Sequence, residues 1–183
     1  MNIWTLPMTA SIGGTVYKIN TDYRDVLEII SYMNDREKPE YIRWQIAISL
    51  FYEGDIPEDH QQEAMEYLSS FISYMSEDNK PGPKLIDWEQ DAQAIIADVN
   101  KVSGVQDIRS IPFLHWWTFL SYFNAIGEGQ LSSIVSIRSK KLRGKKLEKW
   151  EEEFYRENRD RIDFKTKKTN EEIEVQAYFD KWL

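Results

Sequence analysis

The sequence predicts a mainly α-helical protein of about six to eight helices, preceded by a short N-terminal β-hairpin. Three observations carry that expectation. Apolar residues recur at helical spacing along most of the chain. Prolines and capping residues punctuate those runs. Near the N-terminus a Gly-Gly pair separates two short extended arms. The chain has 183 residues, 42% hydrophobic and 14% aromatic, enough apolar material for one sizeable core. We expect one mostly helical domain over residues 1–162, with the hairpin segment in 1–20, and a charged hinge and C-terminal helix over 163–183.

The elements follow in order. Ile12-Gly13-Gly14-Thr15 is a turn signal, because glycine tolerates the positive φ of a tight hairpin; its arms are residues 8–12 and 15–19. Asn20 and Thr21 are capping candidates for a first helix carrying Asp22 in its first turn, with Val26, Ile29, Ile30 and Met33 as the apolar stripe. Pro39 suits the first turn of a second helix, whose face would include Ile42, Ile46 and Leu50 together with Trp44, Ala47 and Phe51. Pro57-Glu58-Asp59 opens a third, with Ala64, Tyr67, Leu68, Phe71, Ile72 and Met75 buried. Asn79-Lys80-Pro81-Gly82-Pro83 is a loop, since two prolines cannot continue a helix. Asp87-Trp88-Glu89-Gln90 has capping-box spacing, and the helix after it carries Ala94, Ile95, Val99 and Val102 and stops near Gly104. A loop over 105–111 leads to Pro112 and an aromatic helix. Helices over 131–142, 147–162 and 171–182 complete the chain, the last two separated by the polar hinge 165–170.

Composition narrows the function. The absence of cysteine excludes disulfides, thiolate metal sites and cysteine nucleophiles, and fits a reducing compartment. The N-terminal residues lack the pattern of a signal peptide, and no apolar run approaches the roughly 20 residues that cross a bilayer. The chain is expected to be soluble. Its formal net charge of −8 argues against a general binder of polyanions. The two histidines, His60 and His115, stand alone, each without a partner at metal-ligand spacing, so structural or surface roles are expected and no metal. Glu151-Glu152-Glu153 spirals around a helix and cannot converge on one atom. Gly127-Glu128-Gly129 lacks the third glycine of a dinucleotide fingerprint and reads as a helix stop. Gly144-Lys145-Lys146 lacks the rest of a phosphate-binding loop. No catalytic residue, no cofactor and no enzymatic activity is expected.

Two segments stand out. In Pro112-Phe113-Leu114-His115-Trp116-Trp117-Thr118-Phe119-Leu120-Ser121-Tyr122-Phe123-Asn124, residues Phe113, Trp116, Trp117, Leu120 and Phe123 form one stripe, flanked by Phe119, Tyr122 and Ile126. A helix this apolar is buried on several sides. It reads either as a central core helix or as one that lends a tryptophan to a partner surface. The run Arg138-Ser139-Lys140-Lys141-Leu142-Arg143-Gly144-Lys145-Lys146 reads as a solvated helix end complementing the helix dipole, or as a surface for an acidic protein or for nucleic acid; the net charge and the lack of aromatics among these cations argue against the last. Trp116, Trp117, Phe119, Arg138, Lys140 and Lys141 are the candidate partner-binding residues.

The order of motifs resembles a family of small proteins from tailed phages and prophages of Gram-positive bacteria, encoded between the major tail protein and the tape measure protein. The resemblance rests on Gly14-Thr15-Val16-Tyr17-Lys18-Ile19-Asn20-Thr21-Asp22-Tyr23-Arg24, on Asp91-Ala92-Gln93-Ala94-Ile95-Ile96, and on Leu114-His115-Trp116-Trp117-Thr118-Phe119 followed by Ile137-Arg138-Ser139-Lys140-Lys141-Leu142. It implies a helical tail assembly chaperone that coats the tape measure protein in the host bacterial cytoplasm. It also implies contact with other tail assembly proteins and self-association along the client. The alternative is a structural protein of the tail or head–tail connector. No membrane or nucleic-acid role is implied.

Overall fold

The computed structural model describes residues 4–74 and 82–165 of the chain. Met75, most of the loop before Pro83, and nearly all of the expected hinge and C-terminal helix lie outside the described residues. The chain divides into two compact units, Met1–Ser133 and Ile134–Leu183.

The first unit opens with β1 (Thr9–Ile12) and β2 (Thr15–Lys18), paired antiparallel with Ile12 opposite Thr15 and Thr9 opposite Lys18. Gly13 and Gly14 hold φ of +57° and +79°, the left-handed pair that a two-residue hairpin turn demands. Ala10 and Ile12 point inward and Thr9 and Ser11 outward, the two-residue alternation of a half-buried strand. Gly13 is needed for a second reason: a Cβ there would lie 2.4 Å from the His60 ring. His60 therefore packs half-buried over the turn, and Glu63 Oε2 accepts the Gly13 N–H at 2.9 Å.

Helix α1 (Tyr23–Met33) is capped by Asp22, not by Asn20 or Thr21. Those two residues are committed elsewhere. The Asn20 side chain donates to Leu50 O at 2.6 Å, and the Thr21 hydroxyl donates to Met8 Sδ at 3.5 Å. Val26 and Ile29 are fully buried, with Ile30 and Met33 at the edge of the stripe. Helix α2 (Glu40–Phe51) starts just after Pro39, which stands in the capping position with ψ 147° instead of in the first turn. Its buried face is Ala47, Ile48 and Phe51; the expected Ile42, Trp44, Ile46 and Leu50 are only half-buried. Phe51 turns the helix, since its ring meets Tyr52, Tyr67 and Phe71 at 4.9, 6.4 and 5.0 Å. A 3-10 turn (Glu58–His60) leads into α3 (Gln61–Ile72), which buries Ala64, Leu68 and Phe71, with Tyr67 and Ile72 intermediate.

The expected capping box forms with another partner and too far from the helix. Asp87 Oδ1 accepts the amides of Glu89 and Gln90, but Asp91, not Gln90, returns the bond to the Asp87 amide at 2.9 Å. Residues 87–91 form a turn and α4 (Ala92–Ser103) begins after it. Ala94, Ile95 and Val99 are buried while Val102 is exposed, and Gly104 ends the helix at φ +71°. The following loop contains a 3-10 turn (Ile108–Ser110) whose Ile108 is fully buried. Helix α5 (Trp116–Asn124) excludes Phe113, which is 50% exposed. Residues 113–115 are held extended by the bridge between Asp22 and His115. Within this unit α1 packs on α2 and α5, α2 on α3, and α4 on α5.

Helix α6 (Gln130–Leu142) matches its expected span, and the turn after it places Gly144 at φ +62°. Gly127 to Gly129 are not the stop of α5, which has already ended at Ala125; Gly129 serves the start of α6. The helix expected over 147–162 is two helices, α7 (Lys149–Glu157) and α8 (Arg159–Ile162), broken at Asn158 with φ −120°. Among the described residues no helix is long and apolar enough to cross a membrane, and no group of three or more His, Cys, Asp or Glu is placed to hold a metal ion.

Candidate functional site

The aromatic residues singled out in the sequence lie inside the first unit. Trp116 and Phe119 are 1% exposed and Trp117 is 6% exposed. Phe119 stacks on Tyr23 at 4.9 Å and on Trp116 at 5.5 Å, while Trp88 meets Trp116 edge-on at 5.8 Å. Trp117 stacks on Phe71 at 5.5 Å. Both indole N–H groups are used: Trp117 Nε1 donates to Phe71 O at 2.9 Å and Trp116 Nε1 to Ile72 O at 3.0 Å. Those are the last carbonyls of α3, for which the helix itself has no i+4 donor; Phe71 O also accepts the Tyr74 amide at 3.2 Å, just past the helix. The adjacent tryptophans thus close the end of another helix, and of the two readings left by the sequence the structure places them in the core.

His115 anchors the same junction. Its Nδ1 accepts the Trp117 N–H at 3.1 Å, capping α5, and its Nε2 lies 3.1 Å from Pro7 O. The tautomer follows: Nε2 carries the proton and donates to Pro7 O. Burial lowers the imidazole pKa below its ordinary value. Asp22 ties the opposite side, accepting the Leu114 amide at 3.0 Å on Oδ2, the Arg24 amide on Oδ1, and both arms of the Arg24 guanidinium. Burial pushes the Asp22 carboxyl up, but these bonds outweigh it and hold it below the usual range.

The basic candidates belong to the second unit and are engaged within it. Arg138 is buried, not a solvated helix end. Its Nε donates to Ile162 O at 2.6 Å, one terminal nitrogen donates to Arg161 O at 3.1 Å, and its guanidinium lies 4.1 Å over the Phe164 ring. Lys140 pairs with Glu151 at 2.6 Å, and Lys141 with Asp163 at 2.5 Å and with the Tyr155 hydroxyl. Glu151, expected on an open spiral of glutamates, is completely buried. Burial raises its carboxyl pKa, but bonds from the Glu148 amide, Lys140 and Ser136 prevail and keep it low.

The feature that residue patterns missed is an open groove of about 940 Å³ between α2 and α3. Tyr41, Trp44 and Ile48, spaced as i, i+3 and i+7, form its apolar wall on α2. Met65 faces them from α3, beside Gln61, Gln62, Ser69 and Ser70. The charged side chains in the lining are Glu40 and Glu66, and Gln62 Nε2 holds the Glu66 carboxylate at 2.8 Å. Apolar residues encircle α2, which suits a helix buried all round. The groove is where that burial is incomplete, and this encircling pattern was the available signal. The arrangement offers an apolar seat for inserted side chains and negative charge for a basic flank.

The fold and this surface define a mostly helical protein with an N-terminal hairpin and an open interhelical groove. The chain belongs to the bacteriophage Gp15 protein family, which it matches over residues 4–164. That span includes the hairpin, the aromatic helix and the helices α6, α7 and α8. No curated protein and no solved structure matches the chain significantly.

Proposed function

We propose that this phage protein is a tail assembly chaperone, without enzymatic activity, that binds the tape measure protein and keeps it soluble in the host cytoplasm until the tail tube forms around it. Membership in the phage family over residues 4–164 carries the reading. The order of its motifs resembles proteins encoded beside the tape measure protein. The open α2–α3 groove supplies a surface suited to a binding function. A helical client with apolar anchors would find there the seat that peptide-binding grooves provide.

The test is co-expression with the tape measure protein, read by the soluble fraction of the client and by pull-down on this chain. The expected outcome is a soluble complex. Equal insolubility of the client with and without this chain sinks the proposal.

A further inference from the structure

The second unit carries a surface complementary to the α2–α3 groove. After α6 the chain turns at Gly144 and enters α7 through a loop rich in cations. Leu142 and Trp150 flank the loop, 61% and 51% exposed. Arg143, Lys145, Lys146 and Lys149 are exposed beside them. Lys140 and Lys141 are neutralised by Glu151 and Asp163, whereas no ion pair among the described residues includes the four loop cations. The Trp150 indole N–H donates to Glu148 Oε2 at 3.1 Å, which orients the ring. An exposed Trp and Leu set among cations, on a chain of net charge −8, mark a binding surface for something acidic and partly apolar.

We propose that the α6–α7 loop of one copy docks in the α2–α3 groove of a second copy. Leu142 and Trp150 supply the apolar anchors that the Tyr41, Trp44, Ile48 and Met65 wall lacks. Lys145 and Lys146 meet the charge of Glu40 and Glu66. Loop on loop and groove on groove each oppose like charges, so the charge pattern selects the unlike pairing. Every copy offers both halves, so the contact closes reciprocally into a two-fold dimer or runs head to tail into a ring or a chain. The inference does not rest on the client reading, and its test contains this chain alone.

The experiment is sedimentation velocity on the full-length chain at low and high salt. The expected result is association that grows with concentration and weakens with salt. Glu66→Lys, and separately Lys145→Glu with Lys146→Glu, should each weaken self-association roughly tenfold or more. Trp150→Ala should weaken it without changing the charge. An equimolar mixture of the two charge variants should recover association, because intact loops then meet intact grooves. Circular dichroism should stay at wild type, since all these residues are at the surface. A wild-type chain that stays monomeric at low salt overturns the proposal. So do charge variants that associate like wild type, or a mixture that fails to recover. Retention of DNA that the loop reversal abolishes, with self-association unchanged, assigns the loop to nucleic acid and also overturns it.

Discussion

Trp117 joins two helices by ring packing and by a hydrogen bond at once, which makes it an informative residue of the core. Its indole fills space against Phe71 and also satisfies Phe71 O at the end of α3. Trp117→Phe keeps an aromatic ring and removes the N–H, leaving Phe71 O with the Tyr74 amide alone, so the lost bond should cost about 1 kcal/mol in urea denaturation. Phe113→Ala is the control, because half-exposed Phe113 lies outside α5 and should cost at most about 0.5 kcal/mol. Equal losses in the two variants would contradict this account. His115 makes a pH prediction from the same junction. Its pKa is lowered from 6.5, so near that pH the unfolded chain binds the proton more readily than the folded one. Stability is therefore complete above pH 6.5 and falls as the pH drops below it toward the folded-state value. His115→Asn, which retains a capping acceptor, should remove that part of the slope. Urea midpoints for both proteins between pH 7 and about pH 5.5 would check it, and parallel curves would refute it.

At the scale of elements, several helix ends are completed by residues far away in sequence. Asp98, buried on α4, accepts the Leu131 amide at 2.9 Å and so caps α6. This close approach explains Gly129, where a Cβ would lie 2.4 Å from Asp98 Oδ2. Asp98→Ala should cost about 1 kcal/mol as a lost cap. Gly129→Ala should cost a similar amount by displacing the same carboxylate. The double variant should then be more stable than the sum of the two losses allows, by about 1 kcal/mol of coupling in denaturant titrations; strict additivity would show that the glycine serves something else. Features of this kind divide what the sequence made legible from what it hid. The Gly13-Gly14 turn, the Gly104 stop and the span of α6 were readable because each depends on local backbone preference. The Asp98 cap, the indole closure of α3 and the Arg138 bonds to Ile162 and Arg161 were not, because tertiary approach creates them. The groove was hidden for a related reason. The apolar residues of α2 point all round, and only the packing of Phe51 decides which side is covered.

For the whole molecule, the question is whether the chain leaves the assembly or stays in it. Subunits retained in a finished particle usually meet through large interfaces, about 2,000–5,000 Å² and mainly apolar. The surface found here is of another kind. Its groove mixes an apolar wall with glutamines, serines and two glutamates, and the cationic loop is a charged surface with only Leu142 and Trp150 as apolar anchors. Such polar, charge-steered contacts form quickly and release readily, and salt weakens them. The proposed chaperone would have to yield its client to the polymerising tube, and that reversibility suits it. We therefore expect quantitative mass spectrometry to find the chain in lysates of infected or induced cells and to find it depleted from purified virions. The tape measure protein serves as the internal standard. A stoichiometric ratio to that protein, maintained after high-salt washing of the particles, would favour the structural alternative and rule out a transient chaperone.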